Sequence, residues 1–143
     1  MKRYVDKPDI YFIKENVSRH EHLMHKYIQS LDILNVPKVI SYNKQKKRMV
    51  MAKIHGDNIS DIYGENIKDV PDNIYNTIKD IMRTLAEYNI CYPDFTGYNF
   101  IIDKNDKFWI IDFEHSYFED SIDENETIQE ILYGEKKWNG EFA

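Results

Sequence analysis

Residues 92–112 read YPDFTGYNFIIDKNDKFWIID. Two runs in this stretch, 99–103 and 107–112, are rich in aromatic and β-branched residues, and a polar turn separates them. That pattern predicts a β-hairpin. Asn99 enters the first strand and Asp112 leaves the second, so the hairpin should bring these two side chains to one place.

Asp94 lies in a loop ahead of the hairpin, because Pro93 and Gly97 interrupt regular structure. Phosphoryl transfer from ATP needs one group that orients and deprotonates the acceptor hydroxyl, and hard oxygen ligands for magnesium. Asp94 can supply the first, and Asn99 with Asp112 the second. Asp and Asn also cap turns and end strands, and this structural alternative stays open for each motif alone.

The pair of motifs resembles the protein-kinase-like superfamily. Residues 92–99 resemble its catalytic loop, in which an Asp precedes an Asn by five positions. Residues 110–114 resemble its Asp-Phe-Gly element, here in the Asp-Phe-Glu form of choline and aminoglycoside kinases. The resemblance implies that Asp94 is the catalytic base, that Asn99 and Asp112 bind Mg²⁺ or Mn²⁺, and that ATP is the co-substrate.

The resemblance continues upstream. Lys14, in a predicted strand over 9–15, takes the place of the lysine that holds the α- and β-phosphates, and Glu21 that of its helix partner. Each residue has an alternative reading. Lys7 or a surface lysine could be mistaken for the first, and a capping box with Ser18 would account for the second.

A second predicted hairpin joins 39–42 to 49–54 across the basic turn 44–48. By the resemblance, its last strand leads into a hinge whose backbone around Met51 and Lys53 hydrogen-bonds adenine. We therefore expect Met51 and Lys53 to bind the nucleotide with Lys14.

Three helices are predicted from apolar periodicity. The first begins near residue 19 with a buried stripe, the second covers 72–89 behind a cap at Asp72, and the third covers 124–133. The stripe of the first helix is assigned to Leu23, Tyr27, Leu31 and Leu34, with Met24 and Ile28 beside it.

The predicted fold class is α+β, a reduced protein-kinase-like fold with a small antiparallel N-terminal sheet, one helix on it and a truncated C-terminal lobe. We expect one domain over 1–143, divided into an N-lobe-like part, 1–54, and a C-lobe-like part, 55–143. A chain of 143 residues is long enough for one core.

Composition excludes several classes of function. The net charge of −6 argues against general binding to nucleic acid or anionic membrane. No apolar run reaches the length of a membrane span. The single cysteine, Cys91, suits a reducing compartment and a packing role. We expect a cytoplasmic protein, and the Ile, Lys, Asn and Tyr bias suggests an A/T-rich genome such as that of a large DNA virus or a protist.

The chain departs from the kinase pattern at several points. It has no glycine-rich motif before Lys14, and Tyr92-Pro93 replace the usual His-Arg, so slow turnover is expected. Only 31 residues follow Asp112. We therefore expect a homodimer, or a partner protein docking at Trp138 and Phe142, to complete the substrate surface.

The sequence thus predicts a minimal serine/threonine protein kinase. The alternatives are a pseudokinase that serves as a nucleotide-binding interaction module, and a kinase of small molecules related to the choline and aminoglycoside enzymes.

Overall fold

Short apolar runs form strands and longer amphipathic runs form helices in the computed structural model, which describes residues 2–140 and side chains from residue 4 onward. Within these residues the strands are β1 (Tyr11–Lys14), β2 (Val39–Asn43), β3 (Arg48–Ala52), β4 (Gly56–Asn58), β5 (Ile90–Cys91), β6 (Phe100–Asp103), β7 (Phe108–Ile110) and β8 (Tyr117–Phe118). The α-helices are α1 (Lys2–Val5), α2 (Arg19–Leu31), α3 (Ile59–Tyr63), α4 (Asp72–Glu87) and α5 (Glu126–Tyr133).

The strands make three antiparallel sheets among the described residues, ordered β1-β3-β2, β4-β6-β7 and β5-β8. In the first, β3 is central, with Met49 opposite Lys14 and Met51 opposite Phe12. The prediction of an α+β protein with a small N-terminal sheet is confirmed. No helix within residues 2–140 is both long and apolar enough to cross a bilayer.

Helix α2 begins where predicted, with the Ser18 hydroxyl accepting a hydrogen bond from the Glu21 amide at 3.1 Å. The buried stripe predicted for it is wrong, because Leu23 and Tyr27 are exposed. The buried residues of the helix are Glu21, Met24, His25 and Ile28. The face was misassigned because the helix turns Glu21 inward, and a charged residue does not look like part of an apolar stripe.

Helix α4 is the centre of the main core, and Ile78, Met82 and Leu85 on its inner face are fully buried. Asp72 does not cap it, since the N-cap position is Pro71 and forms no side-chain hydrogen bond. A face of this kind, repeating every three to four residues, is what drives a helix of this length to pack.

Aromatic residues join α4 to the loop that follows it. Tyr92, Phe95, Phe100 and Phe113 are all completely buried and pack edge to face. The loop also passes close to α3, where a Cβ atom on Gly97 would lie 2.3 Å from the Ser60 Oγ. Only glycine fits at that position, so the path of the loop beside Asp94 is fixed from both sides.

The last predicted helix is shorter than expected. A 3-10 turn covers Ile122–Glu124, and α5 follows it with Asn125 as a cap that accepts from the Ile128 amide. Cys91 is buried and packs in the main core, as predicted.

Candidate active site

Lys14 ends β1 and joins three distant parts of the chain. Its Nζ lies 2.5 Å from Glu21 Oε2 on α2 and 3.2 Å from Asp112 Oδ1, two residues after β7. Glu21 is 1% exposed and Lys14 about one quarter exposed. The structure therefore brings together the three residues that the sequence analysis placed around the phosphates.

Burial and charge act in opposite directions on this trio. Burial lowers the pKa of Lys14, but the hydrogen bond to Glu21 and the charge of Asp112 outweigh it, so the pKa is raised overall. Burial raises the pKa of Glu21, with the ammonium of Lys14 opposing it. Lys14 is thus held as a cation, which a phosphate-binding group must be. The reciprocal half of the predicted capping box is absent among the described contacts, because the Glu21 carboxylate pairs with Lys14 instead.

Asp94 sits in the loop after β5 and is 3% exposed. The loop is closed by its own hydrogen bonds: the Thr96 amide donates to the Asp94 carbonyl at 2.8 Å, and Asn99 Nδ2 donates to the same carbonyl at 2.9 Å. His115 Nδ1 donates to both carboxylate oxygens of Asp94, each at 2.9 Å. Asp94 is therefore fixed at its backbone by Asn99 and at its side chain by His115.

The Asp94 and His115 pair is electrostatically coupled. Burial raises the pKa of Asp94, and the hydrogen bond from His115 opposes that shift. The same hydrogen bond raises the pKa of His115, which is otherwise lowered by burial. A half-exposed imidazole thus supports a buried carboxylate.

Asp112 adopts a left-handed backbone conformation, with φ 64°. This conformation is uncommon for a residue other than glycine and is held only where its surroundings fix it. The residue before it supplies two of the restraints. The Ile111 amide donates to the Asn99 carbonyl at 3.0 Å, and the Ile111 carbonyl accepts from the buried Tyr92 hydroxyl.

Tyr92 corrects one expectation. The sequence analysis treated the loss of the usual histidine before the catalytic Asp as the loss of a support for the metal-binding segment. The phenol of Tyr92 reaches that segment from the same side of the motif and donates to it directly. The support is therefore present in a different chemical form.

The donor set suits a magnesium ion. Oxygen atoms of Glu21, Asp112 and Glu114 all lie within 4.8 Å of one another. Asn99 uses Nδ2 as a donor to Asp94, which leaves its side-chain oxygen as the atom for a metal. Hard oxygen ligands of this kind are those that Mg²⁺ prefers. Glu114, which the sequence analysis admitted only if it turned inward, belongs to this group of oxygens.

An apolar cavity of about 150 Å³ lies beside this centre. Its lining residues are Phe12, Pro37, Ala52, Lys53, Ile54, Ile101 and Ile111. Lys53 therefore lies where predicted. Its amide already donates to the Ile10 carbonyl at 2.9 Å, whereas the Ile54 amide donates to no other described residue.

Met51 does not line the cavity. Its backbone lies in the central strand between Phe12 and Val39, and its side chain is buried with Val17 and Met49. The three additional lining residues Phe12, Ile101 and Ile111 were not singled out from the sequence. Ile101 and Ile111 flank motif residues, and their alternation along the hairpin was the available signal.

The docking role predicted for Trp138 is not supported, because Trp138 is 9% exposed and packs on Phe95 and Tyr75 of its own chain. Phe142 lies outside the described residues. Of the clustered histidines, His25 is buried and donates to the Pro37 carbonyl at 2.6 Å, and His22 stacks on Tyr42. Neither contact resembles metal ligation.

Comparison with known proteins matches this geometry to a family. A family model described as RIO domain matches residues 5–129. The chain is also similar to the solved structure of the Cydia pomonella granulovirus kinase PK-1, with a TM-score of 0.57 and 15% sequence identity. That match covers 76% of this chain and 42% of the viral kinase, so the chain spans less than half of its length. The predicted reduced protein-kinase-like fold is confirmed, and the chain belongs to the RIO domain family within the protein-kinase-like superfamily.

Proposed function

We propose that this chain is an ATP- and magnesium-dependent phosphotransferase that transfers the γ-phosphoryl group to serine or threonine hydroxyls of proteins. One observation carries the proposal. Lys14 contacts both Glu21 and Asp112, and the loop carrying Asp94 is bonded through Asn99 to the same segment. A cation for phosphates, oxygen ligands for a metal and a carboxylate base therefore share one site.

Nucleotide binding is assigned to the cavity and to Lys14. The flat apolar space between Phe12 and the isoleucines Ile101 and Ile111 suits an adenine ring. The backbone of residues 52–54, including the Ile54 amide, would contact its polar edge. Lys14 would bind the α- and β-phosphates, because its ammonium lies on the side of the cavity that leads to Asp112.

Asn99 and Asp112 would hold the metal, with Glu114 as a further oxygen ligand. When bound, magnesium neutralises charge on the phosphates and fixes their orientation. The chain's own contribution is to hold these oxygens in place. Asn99 is oriented by its bond to Asp94, and Asp112 by the restraints on Ile111.

Asp94 would act as the base. The acceptor oxygen forms a bond to the γ-phosphorus, the bond from that phosphorus to the bridging oxygen of ADP breaks, and the hydroxyl proton passes to the Asp94 carboxylate. His115 orients that carboxylate. We assign the nucleotide side to residues 1–54 and the base and metal ligands to residues 55–143.

The test incubates the purified chain with radiolabelled ATP and Mg²⁺, together with generic protein acceptors, choline and an aminoglycoside. Asp94→Asn and Asp112→Asn should each abolish labelling, because one lacks the base and the other a metal ligand. Asp106→Asn is the matched control. Asp106 is an exposed turn residue with φ 62°, a conformation that asparagine tolerates.

The acceptor that becomes labelled decides the substrate class. Label on protein that disappears in both active-site variants supports the proposal. Label on choline or the aminoglycoside would replace a protein substrate by a small molecule, an outcome compatible with the Asp-Phe-Glu motif. Nucleotide binding without transfer would make the chain a pseudokinase. Light scattering of the same sample tests the predicted homodimer.

A further inference from the structure

Residues 136–140, here called the strap, cross the loop that carries Asp94. Asn139 contacts this loop on both sides of the aspartate. Its Nδ2 donates to the Pro93 carbonyl at 2.6 Å, and its backbone amide donates to the Phe95 carbonyl at 2.9 Å. One residue of the strap thus binds the residues immediately before and after Asp94.

Packing and charge hold the strap in place. The Trp138 ring lies 5.4 Å from that of Phe95 and 6.4 Å from that of Tyr75, measured between centroids. Trp138 also approaches Gly97, where an added Cβ would lie 3.1 Å from the indole. At the other end of the strap, Lys136 Nζ lies 3.0 Å from Asp72 Oδ1 at the start of α4.

The strap lies beyond the residues that the RIO family model matches, which end at 129. Its contacts with the loop therefore belong to this chain's own sequence rather than to the matched part of the family domain. They are made by an asparagine side chain, a buried indole and a lysine, all within five positions. Nothing in the spacing of the catalytic motifs indicates them.

We propose that the strap positions the catalytic base, with Asn139 as the positioning residue that fixes the peptide groups flanking Asp94. This inference rests on the proposed role of Asp94. Asn139 touches neither nucleotide nor acceptor. It acts by keeping the carboxylate where the acceptor hydroxyl arrives, since small displacements of a reacting group lower the rate strongly.

The experiment compares Asn139→Ala with Lys137→Ala in the full chain. Lys137 is exposed and adjacent in the strap, so its truncation leaves the bonds of Asn139 intact. Hydrogen exchange of the Thr96 and Asn99 amides reports the loop, because both amides are bonded within it. Exchange of buried α4 amides reports global opening.

Asn139→Ala should speed exchange of the two loop amides by about tenfold, with α4 unchanged and Lys137→Ala like wild type. It should lower kcat by about tenfold and leave KM for ATP unchanged, because the nucleotide contacts lie elsewhere. A merely structural role for Asn139 would not separate kcat from KM in this way.

The exchange measurement keeps the inference separate from the proposed function. If wild type transfers no phosphate but Asn139→Ala still loosens the loop selectively, the proposed function fails and the strap contact stands. Loop exchange that is unchanged in Asn139→Ala, or raised equally in Lys137→Ala, overturns the inference. If α4 exchange shows that the alanine variant unfolds, Asn139→Ser is judged by the same criteria.

Discussion

The hydroxyl group of Tyr92 donates a hydrogen bond to the backbone carbonyl of Ile111, the residue directly before Asp112. Both partners are inaccessible from the side of the core, since Tyr92 is completely buried. The bond links the catalytic loop to the metal-binding segment and helps to hold Asp112 in its left-handed conformation.

Tyr92→Phe removes this bond and keeps the ring. The free energy of unfolding should fall by about 1 kcal/mol, because a largely buried carbonyl loses its partner. The Mg²⁺ concentration needed for half-maximal nucleotide binding should rise, since Asp112 is less well fixed. Denaturant unfolding and a magnesium titration measure the two effects. Tyr88→Phe, at an exposed position, should change neither. A Tyr92→Phe protein with normal magnesium dependence would argue against this role.

Lys14→Met should weaken ATP binding strongly, because it removes the cation beside the phosphate site. It should also destabilise the fold, since Glu21 remains buried without its partner. Isothermal titration with Mg²⁺ and ATP measures the first effect, and Lys7→Met is the control, because Lys7 is the rival lysine of the sequence. Equal losses in both variants would contradict the assignment.

A double-mutant cycle isolates the ion pair. Lys14→Met combined with Glu21→Gln should cost less stability than the sum of the single changes, because the second substitution removes the unpaired buried charge. Denaturant unfolding of the four proteins provides the coupling. Strict additivity would mean that Lys14 and Glu21 do not interact in solution.

Removal of His115 should shift the pH dependence of the rate. Asp94 must be ionised to accept a proton, so activity falls as pH falls through its pKa. Burial raises that pKa, and His115 opposes the rise. His115→Ala should therefore move the acid limb of the kcat profile to higher pH. His22→Ala, in which a ring stacked on Tyr42 is lost, should leave the limb in place.

His25 should make stability depend on pH. Burial lowers its pKa from 6.5 to about 4, with the hydrogen bond to Pro37 opposing the shift. Between these values the unfolded chain binds more protons, so stability rises with pH across this window and is lost on acidification. The contribution of His25 amounts to about 3 kcal/mol.

Denaturant unfolding of wild type and His25→Gln between pH 4 and 6.5 tests this sign. The slope of the unfolding free energy against pH should be smaller in the variant. His55→Gln, at an exposed histidine, should keep the wild-type slope. Parallel curves for His25→Gln and wild type would show that His25 does not titrate as described.

The sequence was most informative where function depends on local spacing. Asp94, Asn99 and Asp112 lie on one loop and one hairpin, so their separation along the chain already determined their proximity. Lys14 and Glu21 are seven positions apart on consecutive elements, and the family order added what spacing could not.

Contacts between distant segments could not be predicted. Tyr92 looked like a lost histidine because a hydroxyl bond to Ile111 depends on tertiary geometry. Asn139 lies more than forty positions from Pro93, and no pattern joins them. Leu23 and Tyr27 were misassigned because apolar periodicity cannot distinguish a face that packs on the core from one that packs, as Tyr27 does on Phe118, at the surface.

The bond between Lys14 and Glu21 makes the placement of a helix and the placement of a phosphate a single variable. Met24 and Ile28 fix α2 against the core, and Glu21 on the same face fixes Lys14. A saturation scan of the chain should therefore record substitutions at Met24 and Ile28 as defects in nucleotide affinity, although neither side chain lies near the nucleotide cavity.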